Sequence, residues 1–483
     1  MEKNYDKYSP YSIENYGKKM VGLTFRQIYE MCINGRETDN DYISRHADKK
    51  YKGGLGNLIE ECYFGYKANS STSADFEEAG VELKVTPYKK TIKGYKAKER
   101  LVITMINYME DFKEHELESS HLWKKIKLML LVWYLHTHGK NDIDSTIDFV
   151  SLFSVPYEDL EIIREDYRKI INKIKCGKAH ELSEGDTLYL GACTKGASSK
   201  QRRVQPFSDI MAKPRAFSLK NSYMTYVLNH YIIPNKNTYE PIVKQGTEST
   251  DFEKYVTEKI NRFAGTEFNK LCQIFSVSNK SKNIASTIAF RILGVKSNNA
   301  AEFEKAGIAL KTIHIGKNGK IREHMSFPAF KYRELAEETW ENSTFGNYLR
   351  ETRFFFVIYK TDTNNVMKLA GSQFWNMPLQ DIDGDVHDVW QEMHDIVKNG
   401  QIRLTIDDRG HTENNFPKIK HHKISHVRPH AKDKNDCYPL PAGTKLNITS
   451  PANISLENTT SYIKHCFWLN NSYIYGQLEE RFK

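Results

Sequence analysis

The sequence predicts two tandem copies of one mixed domain, each copy α+β or mixed α/β. Three observations predict it. SADFEEAGVELKVTPYKK, from Ser73, is matched by AAEFEKAGIALKTIHIGK, from Ala300. Three further pairs keep the same order: ECYFGYK from Glu61 with FRILGVK from Phe290, INKIKCGKAHEL with MHDIVKNGQIRL, and RAFSLKNSYM from Arg215 with HCFWLNNSYI from His465. One such match arises easily by chance, whereas several in one order mark an internal repeat. Third, helical and strand-like patterns both occur within a single copy.

Taken in order, LTFRQIYEMC and the stretch from Gly56 to Phe64 read as helices. VELKVTPY and ERLVITMI read as strands from their β-branched, alternating pattern. IKLMLLVWYL is a continuous apolar run, the pattern of a strand covered on both faces. YEDLEIIREDYRKIINKIKCGK then returns to helical spacing. A linker is expected in IIPNKNTYEPIVKQGTESTDFEKY, rich in Pro, Asn, Thr and charge. Placing the boundary near Lys244 gives domains 1–243 and 244–483.

The seven cysteines are scattered and form no C-x-x-C pair, which speaks for a reducing compartment and against a cysteine-built zinc site. The N-terminus, MEKNYDKYSPYSIENYGKK, is charged and lacks the apolar core of a signal peptide. The run from Leu128 to Leu135 is too short to span a bilayer. The expectation is a soluble cytoplasmic protein with no membrane partner. A formal net charge of +9 attracts polyanions, nucleic acid among them.

The chemistry is concentrated in Asp75, Glu82 and Lys84. In Val81-Glu82-Leu83-Lys84-Val85 alternate residues share a face of a strand, so Val81, Leu83 and Val85 point to a core while Glu82 and Lys84 point together into a cleft. Asp75 comes seven residues before Glu82, and a bend at Ala79-Gly80 can return its carboxylate to the pair. Two hard carboxylates suit Mg²⁺, which polarises a phosphoryl oxygen and improves a water nucleophile. The lysine neutralises developing charge or orients that water. Taken alone, this spacing also fits a solvated edge strand carrying a surface ion pair.

GGLGNLIEECYFG and SADFEEAGVELKVTP together resemble the active-site core of the MutH mismatch-repair nuclease and its restriction-enzyme relatives, within the PD-(D/E)xK nucleases. The resemblance extends through SSHLWKKIKL, IIREDYRKIINKIKCGKAHEL, YLGACTKGASSK and RAFSLKNSYM. At full length the chain is similar to the two-domain type II restriction endonucleases that recognise GATC. The resemblance implies a tandem pair of restriction-endonuclease-like domains. It implies Asp75 and Glu82 as metal-binding carboxylates, Lys84 as catalytic lysine, and Lys125 as a second lysine near the site. It also implies a supporting helix glutamate. Counting four residues back from Gly65 makes this Glu61, with Glu60 as the neighbouring alternative. For DNA, the resemblance points to Lys195 in Thr194-Lys195-Gly196-Ala197, which could donate to guanine or only hold a phosphate. It points as well to Ser218 and Lys220 in AFSLKN. Cys193 stands where the mismatch-repair relative has an arginine, so base readout is not identical.

In the second copy Glu302 stands for Asp75, Ala309 for Glu82, Phe290 for Glu61, and only Lys311 retains the catalytic type. This copy is expected to be catalytically dead. His426-Val427-Arg428-Pro429-His430 is basic and resembles the family's groove-entering loop, so Arg428 and His430 are expected DNA contacts. His421, His422, His426 and His430 include an H-x3-H spacing, yet no cysteine pair accompanies them to make a zinc site. The resemblance thus implies a type II restriction endonuclease that uses Mg²⁺ to cut double-stranded DNA at GATC, before the guanine. The second copy would bind another site as effector, or serve only as a scaffold. A homodimer on DNA is compatible with this reading, and a cognate methyltransferase would act on the same sequence. The alternatives are a mismatch-repair-type strand-nicking enzyme and a non-cleaving DNA-binding regulator.

Overall fold

The computed structural model describes the whole chain except residues 1–3, 34–52, 67–72, 92–93, 138, 197, 199, 234–238, 244–250, 279–282 and 451–453. The expected boundary at Lys244, and Ala197 of the expected DNA loop, lie outside the described residues. The chain divides into two units. The first comprises Met1–Tyr239 with Ala301–Gly307, and the second Glu240–Ala300 with Ile308–Lys483.

In the first unit, helices α1 (Pro10–Lys18) and α2 (Phe25–Ile33) precede α3 (Gly54–Leu58), which runs on as a π-helical turn over Ile59–Phe64. Ser9 caps α1 by accepting from the Ser12 N–H, and Pro10 sits in the first turn, where no N–H is needed. Strand β1 (Glu82–Thr91) pairs antiparallel with β2 (Gly94–Ala97) and parallel with β4 (Met129–Leu135), which pairs antiparallel with β5 (Ile147–Phe153). The apolar run thus becomes the second central strand of the sheet order β2-β1-β4-β5, and Met129 through Trp133 are fully buried. Its Leu130 and Val132 join Val81 and Leu83 of the β1 region in a core with Ile13, Phe25, Ile28, Phe64 and Phe76.

A second sheet has the order β3-β9-β6, built from β3 (Leu101–Met105), β6 (Leu190–Thr194) and β9 (Arg215–Leu219). Helix α4 (His121–Ile126) leads into β4, and α5 (Tyr157–Lys175) buries Ile163, Tyr167, Ile170, Ile171 and Ile174 at helical spacing. Glu158 and Asp159 open α5 and Lys173 and Lys175 close it, each matching the sign of the helix end. A hairpin of β7 (Arg203–Gln205) and β8 (Ser208–Ala212) projects between β6 and β9, and α6 (Asn221–Val227) follows β9.

The second unit repeats this plan. Ile308–Ile315 pairs parallel with Arg353–Thr361, which pairs antiparallel with Met367–Trp375, reproducing β1-β4-β5. Met325–Ser326, His465–Leu469 and Ser425–Pro429 form a sheet in that order, the counterpart of β3-β9-β6. One element departs from the repeat. Where the first copy makes a tight turn from Asp75 to Gly80, the second makes helix α7 (Ala301–Ala306), which belongs to the first unit. Ala300, Ala301, Glu302, Glu304, Lys305 and Ala306 are nearly all strong helix formers, so the turn of the first copy is lost to helix. Lys305 pairs with Asp159 at 2.6 Å in the buried interior of the first unit, and the Ser222 hydroxyl donates to the Lys305 carbonyl.

None of the seven cysteines is disulfide-bonded. Among the described residues no helix is long and apolar enough to cross a membrane.

Candidate active site

The site forms where β1 begins. Phe76 and Val81 exchange backbone hydrogen bonds across a bend closed by Gly80, whose φ of +65° suits glycine. The bend returns Asp75 to the strand, and its carboxylate accepts from the Leu83 N–H at 2.9 Å. Alternation along β1 does the rest. Val81 and Leu83 enter the core, while Glu82 and Lys84 turn the other way, the Lys84 ammonium 2.6 Å from the Glu82 carboxylate. Glu82 is only 1% exposed. From α4, just before the parallel neighbour β4, Lys125 reaches both Glu82 oxygens at 3.1 and 3.0 Å. Two lysines thus grip one buried carboxylate, with Asp75 beside it.

Of the two candidate helix glutamates, Glu60 is buried and Glu61 half-buried. The Glu60 carboxylate is buried, one of its oxygens has no hydrogen-bond partner, and it lies within electrostatic reach of Asp75, Glu82 and Lys84. Burial, reinforced by those acids and by Glu61, pushes its pKa up to about 7. The segment winds here as a π-helical turn. The Gly65 N–H bonds to the Glu60 carbonyl five residues back, so the turn holds one residue more than an α-helical count from Gly65 allows. Glu60→Gln is expected to slow DNA cleavage by about 10- to 100-fold, while Glu61→Gln stays within about threefold of the parent. Parallel single-turnover assays decide it, and equal loss in both variants would restore Glu61.

Burial also raises the Asp75 pKa, with the Glu82 charge adding to it, against the opposing effects of Lys84, the Leu83 N–H and Lys125. Crowded, buried acids with an unsatisfied carboxylate oxygen are what a hard cation would relieve. Among the described residues no group of three or more His, Cys, Asp and Glu side chains is placed to hold a metal unaided. Asp75 and Glu82 are the carboxylates at this end of β1 that could hold a divalent cation.

The expected DNA contacts divide. Lys195 lies half-buried just past the end of β6, beside the exposed Thr194. Ser218 and Lys220 are 1% and 2% exposed, and the Lys220 ammonium donates to the Thr187 carbonyl. Both side chains are thus buried. The reason is topological: β9 is the middle strand of β3-β9-β6 and is covered on both faces. Beneath the same sheet the Asp166 carboxylate accepts from the N–H groups of Leu188, Tyr189 and Leu190 at 2.7, 2.6 and 2.9 Å. Nothing local in the sequence marks Asp166, because its partners stand more than twenty residues away.

In the second unit Lys311 occupies the strand position of Lys84, with Ala309 where Glu82 would be. Burial alone lowers its pKa, without a carboxylate contributing. Glu302, at the position aligned with Asp75, sits on a helix rather than in a turn. It rides on α7 in the first unit, where its charge acts on Tyr189 and Tyr226. Arg428 and His430 are exposed at and beyond the end of Ser425–Pro429, with the Arg428 guanidinium 5.6 Å from the Trp468 ring. His426 is buried against Asn470 and His422 pairs with Glu392, so these histidines do not converge on a metal.

Comparison with known proteins adds to this geometry. The family described as DNA mismatch repair enzyme MutH matches residues 64–166 and again 293–382, one stretch in each copy. The type II restriction enzyme Sau3AI of Staphylococcus aureus is 36% identical over 97% of this chain and 98% of its own length. The DNA mismatch repair protein MutH of Shewanella amazonensis is 28% identical over 37% of this chain and 80% of its own length. That of Vibrio campbellii is 27% identical over 38% and 81%.

Proposed function

The chain belongs to the family of the type II restriction enzyme Sau3AI, and from that premise we propose that its first unit cuts both strands of duplex DNA at GATC, before the guanine. The enzyme is a site-specific deoxyribonuclease with DNA as its partner. The target sequence, the cation and the division of labour between the units are our reading. One observation carries it: Asp75, Glu82, Lys84 and Lys125 converge on one end of β1.

In this mechanism Asp75 and Glu82 would hold Mg²⁺, which supplies Lewis acidity toward the phosphoryl oxygens. The chain's own groups do the remainder. The Leu83 N–H fixes the Asp75 carboxylate. Lys125, from the buried side, holds both oxygens of Glu82 and so sets its orientation. Lys84, paired with Glu82 at 2.6 Å but more open than Lys125, would turn toward the scissile phosphate, orienting water and neutralising the charge that builds in the transition state. Glu60, within electrostatic reach of Asp75 and Glu82, would be favoured in its charged form by a cation held there. Lys195 extends toward the bases from the loop after β6.

The test is incubation of purified protein with plasmid and Mg²⁺. Linear fragments ending at GATC are expected. Nicked circles alone would favour a strand-nicking enzyme, and a gel shift without cutting would favour a DNA-binding regulator. Mn²⁺, Ca²⁺ and chelator in parallel identify the cation. We place the enzyme in the cytoplasm, with a cognate methyltransferase acting on the same sequence, and leave two chains meeting on DNA to sedimentation with duplex.

The second unit, lacking both acids at its own Lys311, is read as a binder of a second GATC site through Arg428 and His430. Added GATC duplex is then expected to accelerate cutting of a one-site plasmid. Arg428→Ala should weaken the stimulating affinity by about tenfold. A wild-type rate indifferent to added duplex would reduce the second unit to a scaffold.

A further inference from the structure

On the reading that this chain cuts duplex DNA, we propose that the β7–β8 hairpin is a second DNA-holding element, which grips the duplex outside the recognition sequence. The hairpin displays Val204, Phe207, Ile210 and Met211 at 62%, 72%, 57% and 47% exposure. Apolar side chains gathered on one small projection mark an interaction surface more often than scattered ones do. Phe207 sits at the tip with a φ of +61°, where glycine or asparagine is ordinary. A phenylalanine there eases neither the backbone nor the core. The Phe112 ring lies 5.4 Å from it, edge to face.

The base of the hairpin is firmly seated. Gln205 is buried, accepts from the Ala179 N–H at 2.6 Å, and donates to the Ile210 carbonyl. Gly177, in the turn after α5, has a φ of +68°, and a Cβ there would lie 2.5 Å from the Phe207 carbonyl oxygen. An apolar tip held out on so close a support is presented to something.

Charge identifies the occupant. Lys195, Lys200, Arg202, Arg203 and Lys213 stand along this segment against the single carboxylate of Asp209. A second copy meeting this face across a twofold axis would set cation against cation. Duplex DNA fits both features. The cations take phosphates, while Phe207 and Ile210 pack on sugars and base edges of the flanking groove, as two-stranded ribbons and apolar wedges do. The surface is continuous with the loop proposed to read bases, since the Lys195 N–H bonds the Pro214 carbonyl at the hairpin's exit.

The experiment measures anisotropy of labelled duplexes with the full chain in chelator, comparing a one-turn and a three-turn duplex, each with a central GATC. Wild type is expected to favour the longer duplex, and Phe207→Ser with Ile210→Ser to cut that advantage by about tenfold, leaving affinity for the short duplex unchanged. Arg203→Glu, an exposed change that spares the fold, should lower the same advantage and flatten its salt dependence. Folded variants that keep the wild-type length preference would overturn the proposal. So would sedimentation showing that the serine variant dissolves a dimer of wild type without altering DNA binding. Plasmid cutting at saturating enzyme is read alongside. If it persists while the length preference is untouched, the hairpin proposal falls and the nuclease stands; if wild type never cuts, the nuclease reading falls instead.

Discussion

Replacing Glu82 by alanine is expected to lower plasmid cleavage by at least about 1,000-fold while duplex binding persists. Glu82 is half of the proposed cation site and the shared partner of Lys84 and Lys125. Its removal leaves two ammonium groups at one end of β1 with their common counter-charge gone. Weaker hold on a cation costs rate. The same surplus of positive charge favours a polyanion, so affinity for GATC duplex in chelator should equal or exceed that of the parent. Glu82→Gln keeps the side chain's shape and loses only its charge, and the same pair of outcomes is expected. Loss of cleavage together with loss of binding would mean that Glu82 supports the fold. A folded Glu82→Ala enzyme within about tenfold of wild type would remove the residue from the chemistry.

What the sequence disclosed about this site follows from distance along the chain. Glu82 and Lys84 are two apart in a strand, so their common face is a matter of local alternation. Asp75 needs only the bend at Gly80, again a local device. The sheet order repeated between the copies follows from four segments kept in register over the whole length. The less legible parts are those where non-local or subtler geometry decides. Counting four residues back from Gly65 gives Glu61, whereas in the π-helical turn that this segment forms Glu60 is the buried one. Ser218 and Lys220 sit in a segment that alternation alone would leave half open. Both are buried in the folded unit, Ser218 on β9 between the strands β3 and β6 and Lys220 just beyond it. Glu302 aligns with Asp75 residue for residue, yet the alanine-rich context converts the turn to helix and carries the acid into the first unit. Alignment preserved the position and lost the geometry.

Those buried groups lead to the second large effect. Asp166→Ala is expected to destabilise the first unit by about 3–5 kcal/mol. The carboxylate accepts from three consecutive backbone N–H groups at the entry to β6, and all three are buried with it. Alanine offers them no acceptor, and each orphaned donor costs about 1–3 kcal/mol, less whatever a relaxing strand or an entering water recovers. Lys220, whose charge faces Asp166, loses its counter-ion in the same interior. The effect should be selective. Asp166 anchors the start of β6, whose far end leads into Lys195, whereas Glu82 lies on β1 of the other sheet, with Asp75 in the bend before it and Lys125 on α4. Calorimetry should therefore show one unfolding transition moved down in temperature and the transition of the second unit in place. Below that transition, cleavage at saturating DNA should survive better than DNA affinity does. Asp166→Asn keeps one acceptor oxygen and should fall between the two. An unshifted calorimetric trace for the alanine variant would show that the three N–H groups find other partners, and that the seat of the Lys195 loop lies elsewhere.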